Sequence, residues 1–324
     1  MGTTLFERLQ PVLILLSVAV GLGLAPINGM ASIASGVIVP LLGAMLYATF
    51  LPLSLKHFGQ SWKTIKVTAA SLMVNFVWTP LLAWGLGALF LRAYPDLWVG
   101  LIMLLVTPCT DWYIVFTSVA RGDVALATAL LPLNLVLQVV LLPLYLLLFA
   151  GTLVELELTQ LFESLFWVLL VPLGLATLTR WGQGQGYVPR SVASVLGQAE
   201  PFQVICLNLA IVAIFAAEGS ALVQNPDLLL RLLMPLGLFF GINFALGLVV
   251  GCYGRFSYPE LACFSCTTLA RNSPLSLAIA ASAFPHRPFI AIALIIGPLI
   301  ELPVLALISQ ILLWIRRRGL WPHL

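Results

Sequence analysis

Charge is what this chain has least of. Asp, Glu, Lys and Arg make up 8% of its 324 residues, where a soluble globular domain carries roughly a quarter. So few charges cannot cover a water-facing surface, and lipid must be the solvent. Basic blocks with interleaved aromatics are missing too, which argues against a nucleic-acid partner. His57, His286 and His323 all fall outside the apolar stretches, so no His-based chemistry is indicated. No Ser/His/Asp set, phosphate loop or pair of catalytic carboxylates is present, so the chain does not read as an enzyme and no cofactor is implied. The five cysteines lie inside apolar stretches and form no secreted disulfide framework. Cys263 and Cys266 share a helical face at i, i+3, but a zinc site usually needs a second such pair.

What is abundant is apolar sequence: 61% of residues are hydrophobic and the mean hydropathy is +1.08. A membrane helix takes about 20 apolar residues, and ten such segments can be marked. They run over Leu9–Ile27, Ser35–Leu55, Lys66–Leu91, Trp98–Val119, Asp123–Ala150, Leu161–Thr179, Ala199–Ala217, Leu230–Tyr253, Leu261–Ala283 and Pro288–Ile315. The run after Met1–Arg8 reads as a first helix and not as a cleaved signal, because no small-residue cleavage site follows it. Alternating the connections places Arg8, Lys56, Lys63, Lys66, Arg121, Arg180, Arg190, Arg255, Arg316, Arg317 and Arg318 on the side of the N-terminus. Arg92, Arg231 and Arg287 fall on the other side. Positive charge favours the cytoplasm, so both termini are expected there, in a multi-pass protein of the cell membrane.

Five spans per half is an odd number, which would insert a duplicated half upside down, as in many secondary transporters. The expected repeats are residues 1–150 and 151–324. Thr107-Pro108-Cys109-Thr110 matches Ser273-Pro274-Leu275-Ser276 at an offset of 166 residues, and the same offset carries Pro132 onto Pro298. Proline breaks or kinks a helix interior but suits a helix start behind a Ser or Thr cap. Pro108 and Pro274 therefore read as restarts of discontinuous helices near mid-span, where unwound backbone is tolerated only inside protein or a wet cavity. An ordinary proline kink is the competing account. Pro298 is marked as a third break.

Intramembrane ionisable residues are costly, and a functional role is the default hypothesis for them. Asp111, Arg271 and Glu301 lie near mid-span. Asp111 falls in the first turn after the Pro108 restart and Arg271 at the end of the half-helix before Ser273, positions that helix dipoles favour for these charges. An Asp111–Arg271 pair is expected, either functional or a purely structural tie. Glu301, between Pro298 and Pro303, reads as a carboxyl group able to load and release a proton, or else as a hydrogen-bond acceptor serving the loosened helix. Asn134 and Gln138, one turn apart, offer neutral hydrogen bonds to cargo or to a neighbouring helix. Cys109, directly after Pro108, sits where a helix N-terminus raises thiolate character, although most buried cysteines are inert.

At these residues the chain resembles the bile acid:sodium symporter superfamily, and within it the arsenite-efflux branch. The resemblance is carried by Thr107-Pro-Cys-Thr-Asp-Trp-Tyr113, Ala120-Arg-Gly-Asp123 and Leu131-Pro-Leu-Asn134. In the second half it rests on Ala270-Arg-Asn-Ser-Pro-Leu-Ser-Leu-Ala-Ile-Ala280 and Gly297-Pro-Leu-Ile-Glu-Leu-Pro303. It implies an all-α fold of ten transmembrane helices in two inverted five-helix repeats, with crossing broken helices four and nine. A core domain of spans 3–5 and 8–10 and a panel domain of spans 1–2 and 6–7 follow from it. It implies arsenite efflux, with antimonite as related cargo, by exchange against protons, with Cys109 and Glu301 as the working pair. The substrate-binding set is Cys109, Thr110, Asp111, Asn134, Asn272, Ser273 and Glu301, and Asp111, Arg271 and Glu301 are the charges for proton coupling or ion pairing. Sodium-coupled relatives carry a Glu and a Gln in span nine where this chain aligns Thr267 and Arg271, and a guanidinium there would repel sodium. A sodium-independent carrier of a small organic anion, bound by Arg271 and helix N-termini, is the alternative function.

Overall fold

A computed structural model describes residues 5–51, 65–110, 112–154, 158–185, 199–224 and 227–321. Those residues are overwhelmingly helical. In chain order the helices are α1 Leu5–Leu24, α2 Met30–Phe50, α3 Ile65–Phe90, α4 Pro95–Leu105, α5 Trp112–Val119, α6 Val124–Leu148, α7 over 158–184, α8 Ala199–Gln224, α9 Asp227–Gly254, α10 Tyr258–Leu269, α11 Ser273–Ala283 and α12 Pro288–Arg317. Six helical stretches among the described residues are long and apolar enough to cross a membrane: Met30–Phe50, Ile65–Phe90, Val124–Thr152, Phe162–Gln183, Leu230–Gly254 and Pro288–Arg317. Shorter apolar helices include Pro95–Leu105 and Ser273–Ala283. Large apolar side chains such as Ile33, Leu89 and Leu230 stand exposed along these helices, as suits a lipid surround.

Prolines shape these helices in three ways. In α3 the helix widens into a π turn over Val74–Trp78 just before Pro80. Pro80 has no N–H to offer the Phe76 carbonyl, and the Tyr145 hydroxyl donates to that carbonyl instead at 2.5 Å. In α12 the helix runs unbroken through Pro298 and Pro303, so Pro298 is not a break. A lone proline removes one bond of the ladder, and the turns on either side hold. Pro108 and Pro274, by contrast, both sit at interruptions.

The chain forms two compact units. One comprises residues 1–53, 156–228 and 274–295. In it α8 packs on α1 and α2, and α7 packs on α2. Small residues let these helices close up: a Cβ on Gly21 would lie 2.6 Å from the Phe215 Cβ, and Ala34, Ala213 and Ala216 form a buried cluster. Its buried and half-buried polar contacts include Ser17 Oγ donating to Asn208 Oδ1 at 2.8 Å and Ser282 Oγ to Ser164 Oγ at 3.0 Å.

The other unit comprises residues 54–155, 229–273 and 296–324. Here α10 is central, packing on α3, α5 and α6. Its start is tied down firmly. The Glu260 carboxylate accepts from the Ser257 N–H and hydroxyl, both at 2.8 Å, the Tyr258 hydroxyl donates to Ala120 O, and Asp123 N donates to Pro259 O. This anchoring fixes where α10 ends, and it ends at the site.

Candidate functional site: a crossing of two unwound segments

Helices α4 and α10 stop in the interior of the second unit, at Leu105 and Leu269. The segments that follow run antiparallel, with Pro108 opposite Arg271. Cys109 N donates to Ala270 O at 3.0 Å and Asn272 N to Thr107 O at 2.8 Å. Every residue from Thr107 to Thr110 and from Ala270 to Ser273 is buried, so these backbone groups have no water to fall back on.

The prolines explain which carbonyls are available. Pro274 cannot donate to Ala270 O, leaving that oxygen for Cys109 N. Pro108 cannot donate to Leu104 O, and the Thr107 hydroxyl reaches it at 3.2 Å, with Met103 O at 3.0 Å. Because Cys109 N and Asn272 N are spent across the crossing, the carbonyls four residues before them, Leu105 O and Thr268 O, lose their helical donors. The Arg271 guanidinium fills both places. Its Nη1 donates to Leu105 O at 2.9 Å, while Nη2 donates to Thr268 O and to Asn75 Oδ1, the latter at 3.1 Å. Arg271 is 2% exposed, and its guanidinium lies 5.0 Å over the Phe239 ring.

Glu301, 3% exposed on α12, accepts from the Arg271 backbone N–H through Oε1 at 2.9 Å. Cys109, 4% exposed, donates its N–H to Ala270 O and Glu301 accepts from the next N–H, that of Arg271, so the thiol-bearing and the carboxyl-bearing residue meet the same buried segment. Close approach of α12 depends on Gly297, where a Cβ would lie 2.7 Å from both Ser273 Oγ and Leu104 Cδ1. Thr110 and Ser273 stand at corresponding places about the local twofold of the crossing, and each keeps a buried hydroxyl without a hydrogen-bond partner.

The remaining expected residues fall around this centre. Asn272 takes part through its backbone. Asn134 Nδ2 donates to Thr267 Oγ1 at 3.2 Å, while its Oδ1 and both amide atoms of Gln138 are buried without partners. Cys263 and Cys266 are buried within α10, and among the described residues no three His, Cys, Asp or Glu side chains gather as metal ligands. Asp111, and with it the expected Asp111–Arg271 pair, lies outside the described residues.

Three sequence expectations shift. Pro108 does not open the next half-helix: it lies in the paired extended segment, and α5 is helical from Trp112 onward. Cys109 accordingly pairs across the crossing instead of capping α5. The crossing also pairs the halves three residues out of step with the Thr107–Ser273 match, since Pro108 faces Arg271. Asn75, absent from the sequence-derived set, proves to be a direct partner of Arg271. Its Nδ2 donates to Thr267 O at 3.3 Å, which turns its oxygen toward the guanidinium. An isolated Asn in the apolar run Met73–Trp78 was the available signal.

The sequence model of the Sodium Bile acid symporter family matches residues 39–225, more than half of the chain. The chain belongs to this family. Its relatives include the Arsenical-resistance protein Acr3 of Corynebacterium glutamicum, 27% identical over 95% of this chain and 89% of that protein. The uncharacterized protein YbaS of Bacillus subtilis is 25% identical over 75% of this chain and 77% of its own length. The uncharacterized sodium-dependent transporter YocS of the same organism is 23% identical over 77% of this chain and 75% of its own. The chain is thus a multi-pass membrane transporter and not an enzyme.

Proposed function

We propose that the chain exports arsenite, with antimonite as related cargo, in exchange for protons by alternating access. The observation that carries this reading is that Cys109 and Glu301 are both buried and both hydrogen-bond to the Ala270–Arg271 segment. Trivalent arsenic is thiophilic, so a buried thiol is a selective contact for it. A carboxyl group in the same interior can carry the counter-moving proton. The Acr3 relative of Corynebacterium glutamicum, similar along nearly the whole chain, supports the same cargo. Thr110, Asn134, Asn272 and Ser273 supply hydrogen bonds to the arsenic hydroxyls in this reading, and Asp111 belongs to the same stretch.

The architecture that goes with it has ten spans in two inverted repeats, a core and a panel domain, and both termini in the cytoplasm of a cell-membrane protein. The division into two compact units, the paired interruptions at Pro108 and Arg271 and the eleven-to-three split of basic residues support it. Arsenite accumulation in an efflux-deficient cell tests the cargo: the wild type lowers it, and Cys109→Ser and Glu301→Gln do not. Vesicles with imposed proton or sodium gradients test the coupling, with uptake following the proton gradient alone.

The unpartnered hydroxyls of Thr110 and Ser273 favour a second reading, a sodium-independent carrier of a small organic anion. Folded wild-type protein that leaves arsenite accumulation unchanged would select it.

A further inference from the structure

Helices α5, α9 and α12 of the second unit all end in the same kind of turn. After α5 and α9 the residue in left-handed backbone is an arginine, Arg121 and Arg255, both at φ 55°. Gly122 N then donates back to Thr117 O at 2.7 Å, and Phe256 N to Gly251 O at 2.9 Å, the closing bond of a Schellman turn. After α12 the same turn has Gly319 at φ 62°, with Leu320 N donating to Ile315 O. Glycine is the residue such positions favour. A cation at a helix C-terminus gains from the dipole, but left-handed backbone costs a side chain at least as much. Stability therefore does not account for Arg121 and Arg255.

The three turns are tied together. The Tyr258 hydroxyl donates to Ala120 O, directly before Arg121, and the Arg316 guanidinium lies 5.1 Å over the Tyr258 ring. Trp321 folds back against Gly251 and donates from Nε1 to Phe256 O, directly after Arg255, at 2.8 Å. Arg121, Arg255, Arg316, Arg317 and Arg318 are all exposed. The acidic residues of these turns are committed to helix starts: Asp123 Oδ1 accepts from Leu126 N, and the Glu260 carboxylate accepts from Ser257. Tyr253 and Trp314, each two residues before an arginine of the group, are 88% and 54% exposed. Exposed Tyr and Trp mark the headgroup level of a bilayer, so these arginines stand where lipid phosphates lie.

We infer that these three turns form a binding site for the headgroup of an anionic phospholipid, with Arg121 and Arg255 reaching its phosphate from the α5 and α9 turns and Arg316–Arg318 from the end of α12. Guanidinium groups pair with phosphate oxygens two at a time. A phospholipid brings its phosphate to this depth while its chains cover the apolar helix surface beside it. Because α10 starts within the site, at Tyr258, the bound headgroup steadies the turn that anchors the helix leading to Arg271. The inference goes beyond the transport reading and is independent of the cargo.

The test is the thermal unfolding midpoint of the delipidated full chain in neutral detergent. It is titrated with dioleoylphosphatidylglycerol, with dioleoylphosphatidylcholine, or with glycerol 3-phosphate as the headgroup without its chains. Phosphatidylglycerol should raise the wild-type midpoint saturably by about 5 °C, and the other two by less than about 1 °C. The double variant Arg121→Gly, Arg255→Gly keeps both turns. It should melt no lower than wild type without lipid, yet its apparent affinity for phosphatidylglycerol should fall about twentyfold. Purely structural arginines give the reverse, a lower midpoint with an unchanged lipid gain. Arg317→Gln should weaken the affinity roughly fivefold, and it decides the matter if the glycine variant is not recovered folded. Arg180→Gln removes the same charge from the first unit and should leave the affinity unchanged. An equal gain from phosphatidylcholine or glycerol 3-phosphate, full affinity in the glycine variant, or a loss in Arg180→Gln equal to that in Arg317→Gln would overturn the inference.

Discussion

The two units differ in what they bury. Of the 22 polar or charged residues buried among the described residues, Ser17, Thr49, Ser164 and Ser276 belong to the first unit and the other eighteen to the second. The first unit is held by small-residue contacts and a few side-chain bonds, as expected of helices that only have to pack in lipid. The second holds both ions that are buried among the described residues, Arg271 and Glu301, and has two interrupted helices meeting beside them. Burying polar groups costs free energy unless each is satisfied. A unit that concentrates them, and leaves several hydroxyl and amide groups without protein partners, is organised around something other than its own stability.

Substitution at matched positions can break that comparison. The largest effects should come from Cys109→Ser and Glu301→Gln in the second unit. Losing a charge-assisted contact worth about 1.5–3 kcal/mol corresponds to a tenfold to roughly hundredfold fall in transport rate, read as arsenite uptake into everted vesicles, with the melting temperature little changed. If Glu301→Gln transports at the wild-type rate, the buried carboxyl group is structural, and if Cys109→Ser also does, the contrast between units loses its functional meaning.

Asn75→Leu should come next. It removes one acceptor from a buried guanidinium and leaves Nη2 with Thr268 O alone, at a cost of about 1–3 kcal/mol seen as a lower unfolding midpoint. Leucine has the same branching as asparagine with bulkier ends, so the change opens no cavity.

The glycines then sharpen the comparison. Gly297→Ala and Gly21→Ala each force a Cβ within about 3 Å of a neighbour, and overpacking of this kind costs about 1–3 kcal/mol. The two should destabilise alike in thermal melts. Only Gly297→Ala, which presses on Ser273 Oγ and Leu104, should also lower transport per folded molecule. Equal transport losses would mean that stability alone explains both.

How much of this was legible in the sequence depends on the kind of signal. Charged residues in apolar runs are conspicuous, so Arg271 and Glu301 could be singled out at once. Prolines 108 and 274 marked the interruptions, because a missing N–H acts locally. The pairing of the interruptions was not legible. Proline says which donor is missing but not which carbonyl a distant N–H will take, so the Thr107–Ser273 match ran three residues out of step. Pro298 shows the opposite failure, since a proline alone does not decide between a break and a helix that continues. Asn75 escaped notice because a neutral amide in an apolar helix carries no charge signal, and its partner lies far away in the chain.

The smallest predicted effect is the most direct control on the contrast. Ser17→Ala in α1 deletes the hydrogen bond to Asn208 Oδ1 in the first unit. Asn208 is only half-buried and keeps its own bond from Nδ2 to Val204 O, so its oxygen is not left stranded. The net loss should be about 0.5–1.5 kcal/mol, a shift of a few degrees at most in the unfolding midpoint, with transport within about twofold of wild type. A neutral bond between two helices acts as an attachment, and attachments can be weakened without changing what the carrier recognises. If Ser17→Ala instead abolished transport while the protein stayed folded, cargo recognition would extend into the unit that buries no ions among its described residues, and function could no longer be assigned by where polar groups are buried.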